Sequence, residues 1–158
     1  MTSLRPARPA DADAVAAVWA AGWRDGHLGH VPEELVAVRT TESFGPRAAD
    51  RIPRTTVGES GGEVAGFVTV TGDEVEQLFV AAAHRGGGLA GRLLAEAERQ
   101  IAAGGHGAAW LAVVAGNGRA RRFYERSGWH DEGPFDYRAE HGGTTIPVPC
   151  RRYVKAFR

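Results

Sequence analysis

The spacing of apolar positions changes several times along the chain, and each change marks an element. After a short extended piece over residues 4–8, Pro9 with Asp11 and Asp13 opens a helix in which Val15, Val18, Trp19 and Trp23 recur at helical intervals. That spacing gives the helix one buried face, and its two early carboxylates suit the positive end of the helix dipole. Following a loop over 25–31, Pro32-Glu33-Glu34 starts a second helical stretch that ends near Pro46 or Ile52. The pattern then turns to strands at 55–59, 64–71 and 75–80, joined by tight turns at Ser60-Gly61-Gly62 and Gly72-Asp73. A glycine run leads into a helix from about 88 to 103, with Leu89, Leu93, Leu94, Ala97 and Ile101 on one side and Gly104-Gly105 as its stop. Residues 108–115 are almost continuously apolar, as expected of a strand covered on both faces. Asn117 caps a short helix with Ala120, Phe123 and Tyr124 inward, and strands over 129–137 and 145–157 complete the order.

That order, β-α-α-β-β-β-α-β-α-β-β, predicts an α/β (α+β) fold built on a mixed, mostly antiparallel sheet. Its single crossover, over residues 75–115, makes the two flanking strands parallel neighbours. With 158 residues, 43% apolar and 24% charged, the chain is expected to form one domain over 1–158. A chain of this size buries roughly 68 to 70% of its unfolded surface and needs no disulfide, which agrees with a single cysteine, Cys150. Nineteen basic and nineteen acidic residues cancel, so no whole-molecule field favours nucleic acid or an anionic membrane, and any anion site must be local. The first residues lack the apolar core of a secretory signal, and no apolar run approaches the roughly 18 to 20 residues of a membrane span. A soluble, cytoplasmic protein with neither nucleic-acid nor membrane partners is therefore expected.

The chemistry concentrates where the third of those strands meets its helix, at Arg85-Gly86-Gly87-Gly88-Leu89-Ala90-Gly91-Arg92-Leu93. Consecutive glycines let backbone N–H groups converge, and a helix N-terminus behind them adds partial positive charge, so a phosphate fits. A Walker loop fails, because Arg92 and Leu93 stand where Lys and Ser or Thr are needed. Gly86-Gly87-Gly88-Leu89-Ala90-Gly91 matches G-x-G-x-x-G, but the following strand end, Leu111-Ala112-Val113-Val114-Ala115, lacks the acidic residue a dinucleotide site requires. The antiparallel hairpins before it also oppose a doubly wound sheet.

The same loop, Arg85-Gly86-Gly87-Gly88-Leu89-Ala90, resembles the Q/R-x-x-G-x-G/A signature of the GCN5-related N-acetyltransferase (GNAT) superfamily, with alanine in the last place. Asn117, Ala120, Phe123-Tyr124-Glu125-Arg126 and Gly128-Trp129 resemble the superfamily's N-x-x-A-x-x-F-Y-E-x-x-G-F segment. The resemblance spans residues 4–155, and the opening through Trp19 and Trp23 is similar to small bacterial members. It implies helices on both faces of the sheet and an acetyl-CoA-dependent N-acetyltransferase. Amides from about Arg85 to Ala90, through Gly86, Gly87, Gly88 and Leu89, would hold the pyrophosphate, and Arg85 would add a charge-assisted contact. The strands over 75–80 and 108–114 would splay apart, freeing the backbone of Leu78, Phe79 and Val80 to pair with pantetheine. No metal is required. The acceptor implied is a primary amine of a small molecule or a peptide N-terminus, attacked directly.

Such an attack requires that the amine lose a proton and that the departing thiolate gain one. Tyr124 matches the position of the superfamily's general acid, and a phenol with a reference pKa near 10 is protonated at neutral pH. Asn117 caps its helix and, by the resemblance, also contacts the cofactor. Glu76 is the candidate base, directly or through water, because in a regular strand it shares the face of Leu78; Glu74 shares that face too, and a bulge would bring in Gln77. Trp23, His27 and His30 fall on the acceptor side as pocket candidates. The histidines lack the further ligands of a metal site, and Cys150 lacks a histidine–carboxylate arrangement, so it is read as structural. A non-catalytic acyl-CoA-binding module of the same fold is the alternative. Edge strands in the last third would suit a homodimer, with the oligomeric state left open.

Overall fold

Alternating apolar and polar residues resolve into seven strands in the computed structural model, which describes residues 2–158. They are β1 (Thr2–Pro6), β2 (Thr55–Ser60), β3 (Glu63–Thr71), β4 (Glu74–Val80), β5 (Ala108–Val114), β6 (His130–His141) and β7 (Thr144–Ala156). One sheet holds them all in the order β1-β2-β3-β4-β5-β7-β6, and every neighbouring pair is antiparallel except β4–β5. The helices are α1 (Ala12–His27), α2 (Glu33–Val38), α3 (Phe44–Arg51), α4 (Leu89–Ala103) and α5 (Gly118–Arg126).

Several boundaries differ from the expected ones: α1 continues to His27, into the expected loop over 25–31, and β6 runs to His141 instead of ending at 137. The first strand ends at Pro6 instead of running over 4–8, because the Arg8 N–H donates to Asp11 Oδ2 at 2.7 Å and starts a 3-10 turn over Pro9–Asp11. The second helical stretch is two helices, since the extended backbone at Thr40 interrupts it after Arg39. Of the two expected ends, Pro46 lies in the first turn of α3, where a missing N–H breaks no intrahelical bond, and the helix ends at Arg51 beside Ile52.

The sheet separates two cores. On one face Leu89, Leu93, Leu94, Ala97 and Ile101 of α4 pack on Val68, Val75 and Leu111, with Phe123 and Tyr124 of α5 against the same cluster. On the other, Val15, Trp19 and Trp23 of α1 and Phe44 and Ala48 of α3 cover Val57, Phe67 and Val114. Trp19 meets Phe44 edge-on at 5.4 Å between centroids, a favoured aromatic geometry. Close approach of α1 to β4 depends on Gly22, where a Cβ would strike the Phe79 ring. No helix among the described residues is long and apolar enough to cross a membrane.

Candidate active site

Strand β5 is central and buried on alternate residues, yet its register with β4 consists of a single pair, Glu74↔Trp110. Beyond it the strands diverge, while β4 stays paired with β3 as far as Val80. The backbone edge of Leu78, Phe79 and Val80 that faces β5 is thus left without a strand partner. A cavity of about 610 Å³ opens in this cleft and extends over α1, α3 and β6.

Where β4 ends, a 3-10 turn over Ala82–His84 delivers the chain to Arg85 and the glycine loop. Gly86 (φ 87°) and Gly88 (φ 82°) adopt left-handed backbone, which side-chain-bearing residues rarely tolerate. Gly88 is the N-cap of α4 and brings no capping side chain; Arg92 N–H returns to Gly88 O at 3.2 Å, so the N–H groups of 89–91 have no acceptor within the helix. Residues 85–88 are exposed, whereas the Leu89 side chain is buried in the core and anchors the helix start. Arg85 donates to Val80 O at 3.3 Å and pairs with Asp25 of α1 at 3.1 Å. Open space surrounds the α-carbons of Gly86 and Gly88, and the set of unclaimed N–H groups with one arginine suits a pyrophosphate.

Tyr124, Glu76, Leu78, Phe79, Asn117, Trp23 and His27 all line the one cavity. Val80 and residues 85–90 lie outside it at the strand end, and so does His30, whose exposed ring covers Gly116 in the β5–α5 connection. The expectation of His30 in the acceptor pocket is thereby corrected: it follows the left-handed turn at Gly29 (φ 84°) after α1 and is exposed. Asn117 Oδ1 accepts from Ala120 N–H at 3.2 Å, capping α5, and its amide packs where Gly26 of α1 leaves room. Tyr124 is half-buried among Phe123, Trp129 and Tyr153 at 5.1 to 6.3 Å, and its hydroxyl has no protein partner among the described residues. Burial raises its pKa well above that of a free phenol, so it holds its proton. His27 stacks on Trp23 at 4.9 Å and donates from Nδ1 to Trp23 O at 3.0 Å; desolvation pushes it down to about 4, so it is neutral.

The face expected for Glu76 is also corrected. Thr69↔Gln77 and Val70↔Val75 are successive pairs, which makes Glu76 the extra residue of a β-bulge. Val75 and Leu78 consequently point to the same core, and Glu76 turns to the opposite face, toward α3. There it is held by the Arg51 guanidinium and by Thr71 Oγ1 at 2.6 Å. Although desolvation opposes ionisation, these hydrogen bonds and the charge of Arg51 leave its pKa below the usual carboxylate range. Glu74 is the reverse case: burial raises its pKa, and the Tyr137 hydroxyl donates to it at 2.8 Å.

Arg39, Arg47, Arg51 and Tyr137 also line the cavity, and none was singled out from the sequence. The one available signal was the four-residue interval between Arg47 and Arg51, which places both on one face of α3. Cys150 lines the cavity as a buried thiol pushed up to about 11, hence not a thiolate nucleophile at neutral pH.

Comparison with known proteins agrees with this geometry. The model of the acetyltransferase (GNAT) family matches residues 19–129. No curated protein matches the chain. Among solved structures, a GCN5-related N-acetyltransferase from Rhodopseudomonas palustris superposes with a TM-score of 0.77 at 20% identity, covering 99% of this chain and 96% of that one. The paia N-acetyltransferase of Thermoplasma acidophilum, solved with coenzyme A, gives 0.73 at 16% identity over 99% of both chains. The yncA protein of Salmonella typhimurium, solved with acetyl-CoA, gives 0.73 at 17% over 99% of this chain and 94% of that one. The splayed β4–β5 pair, the glycine loop at its end and the family match over the span that contains both lead to one conclusion: the chain belongs to the acetyltransferase (GNAT) family and is an acetyltransferase.

Proposed function

We propose that the protein transfers acetyl from acetyl-CoA to a primary amine, with the amine entering between α1, α3 and β6 and the thioester lying in the β4–β5 cleft. The observation that carries this reading is the confinement of β4–β5 pairing to Glu74↔Trp110, which opens the cleft beside two carboxylates and in front of Tyr124. Leu78, Phe79 and Val80 offer backbone to pantetheine, and the amides of Gly86 to Ala90, with Arg85, take the pyrophosphate.

Glu74 accepts the first proton of the ammonium group, directly or through water. Its raised pKa makes it a stronger base than Glu76, whose lone pairs are committed to Arg51 and Thr71. The neutral amine then attacks the thioester carbonyl; the C–N bond forms, the C–S bond breaks, and Tyr124 donates its phenolic proton to the leaving sulfur. The second amine proton restores Tyr124 to its neutral form, so the products are the N-acetyl amide and free CoA thiol. Release of thiol from acetyl-CoA, measured over a panel of primary amines, tests this function. Amine-dependent release supports it, whereas CoA binding without release from any amine favours the non-catalytic module.

A further inference from the structure

Among the described residues, Arg39 and Arg47 of the cavity have no carboxylate within ion-pair distance, although Glu140 acts on Arg39 and Glu76 on Arg47 from farther away. Arg51 is paired with Glu76. Arg39, only 7% exposed, makes one side-chain bond, from Nη2 to the Glu140 backbone carbonyl at 2.7 Å, and has no carboxylate within ion-pair distance among the described residues. Arg47 donates no side-chain hydrogen bond among the described residues. Its guanidinium carbon stacks 4.3 Å from the Trp19 centroid and 5.2 Å from that of Phe44, and its Nη1 is buried without a partner. Desolvation, then repulsion from Arg39 and Arg51, pulls Arg47 down to about 9, which still leaves it cationic at neutral pH.

Stacking on aromatic faces accounts for where Arg47 lies but not for its hydrogen-bonding needs. A guanidinium is attracted to a ring through its plane, while its five N–H groups project from its edge and seek oxygens. Burying part of a cation without an anion is costly; of the carboxylates that line the cavity, Glu76 is held by Arg51, Glu74 accepts from Tyr137, and Glu140 makes no ion pair with Arg47 among the described residues. A ligand oxyanion would complete the set, and the planar fork of arginine fits carboxylate geometry.

We infer that the acceptor is a primary amine that also carries an oxyanion, as an amino acid carries its carboxylate, and that Arg47 with Arg39 holds that oxyanion while the amine faces Glu74. This rests on the amine acetylation proposed above and adds the chemical class of the acceptor. A carboxylate and a phosphonate share the required chemistry.

The test compares, at saturating acetyl-CoA, an amino acid, its aminophosphonate counterpart, its carboxamide and the decarboxylated amine. A charge-assisted pair predicts kcat/KM for the better acid about 10- to 100-fold above the amide, and which acid is better identifies the oxyanion. Arg47→Met should raise KM for the acid by about that factor more than for the amide, Arg47→Lys should recover part of it, and CoA affinity serves as the folding control. Equal use of acid and amide by the native enzyme, or an equal loss on both in Arg47→Met, overturns the inference. Should Arg47→Met fail to fold, Arg39→Met and the native panel decide in the same way. If acetyl-CoA binds but no amine is acetylated, the proposed function fails, and thermal stabilisation decides the subsite. Stabilisation of the CoA complex by the acid and not the amide upholds the subsite; none by either overturns it.

Discussion

At single-residue scale the site is defined by how each ionisable group is surrounded. Tyr124 lines the cavity and its hydroxyl has no protein partner among the described residues, while its ring packs on Phe123, Trp129 and Tyr153. Tyr124→Phe keeps that packing, so CoA affinity and stability should change little while kcat falls by about 100- to 10,000-fold, the range typical of general acid catalysis. Steady-state and single-turnover kinetics check this, and an unchanged chemical step would make Tyr124 a packing residue only. Glu74 and Glu76 separate by pH. Because burial raises the Glu74 pKa in the free protein, kcat/KM should fall as pH drops through that raised carboxyl titration, since the protonated carboxyl no longer accepts the amine proton. Glu74→Gln should abolish that acid limb in a pH–rate profile. Glu76→Gln should preserve it, its carboxylate being held ionised by Arg51. Tyr124 was legible in the sequence through its neighbours Phe123, Glu125 and Gly128; the contrast between two glutamates two positions apart was not, because it arises from α3 and β6, which are distant in sequence.

At the scale of elements, the glycine loop and the bulge do the positioning. Gly88 combines left-handed backbone with the N-cap of α4, and Leu89 beside it is pinned in the core. Gly88→Glu forces a side chain into that backbone and sets a negative charge among the N–H groups that would meet pyrophosphate. CoA affinity measured by calorimetry should fall by at least about 10-fold, for which about 1.4 kcal/mol suffices. The circular dichroism spectrum should stay native, because the backbone strain at φ 82° is confined to an exposed loop in which the new side chain meets no neighbour. Strands β2 to β5 and helix α4 matched their predicted spans closely, since alternation and helical spacing are local signals. The bulge at Glu76 left no such mark. An inserted residue is recognised only against the register of its partner strand, here at Thr69 and Val70.

At the scale of the whole molecule, the β4–β5 gap leaves β4 edge backbone and a 610 Å³ cavity for a cofactor to fill. Saturating CoA should therefore stabilise the fold. At 100 times its dissociation constant a ligand contributes about 2.7 kcal/mol, which for a chain of this length raises Tm by roughly 5 to 10 °C in a thermal scan, without added magnesium. No shift with CoA or acetyl-CoA would displace the cofactor assignment. What the sequence determined by itself was the order of the strands, the single crossover and the glycine loop, because periodicity and backbone freedom are encoded within a few neighbouring residues. Tertiary structure alone decided which side chains meet: it put His30 outside the cavity and turned Glu76 toward Arg51. It also left Glu74 to Tyr137 and brought Arg39 and Arg47 to the cavity with no carboxylate in ion-pair distance among the described residues. Those relations depend on distance and desolvation between segments as far apart as Arg39 and Glu140, and neither quantity exists until the chain has folded.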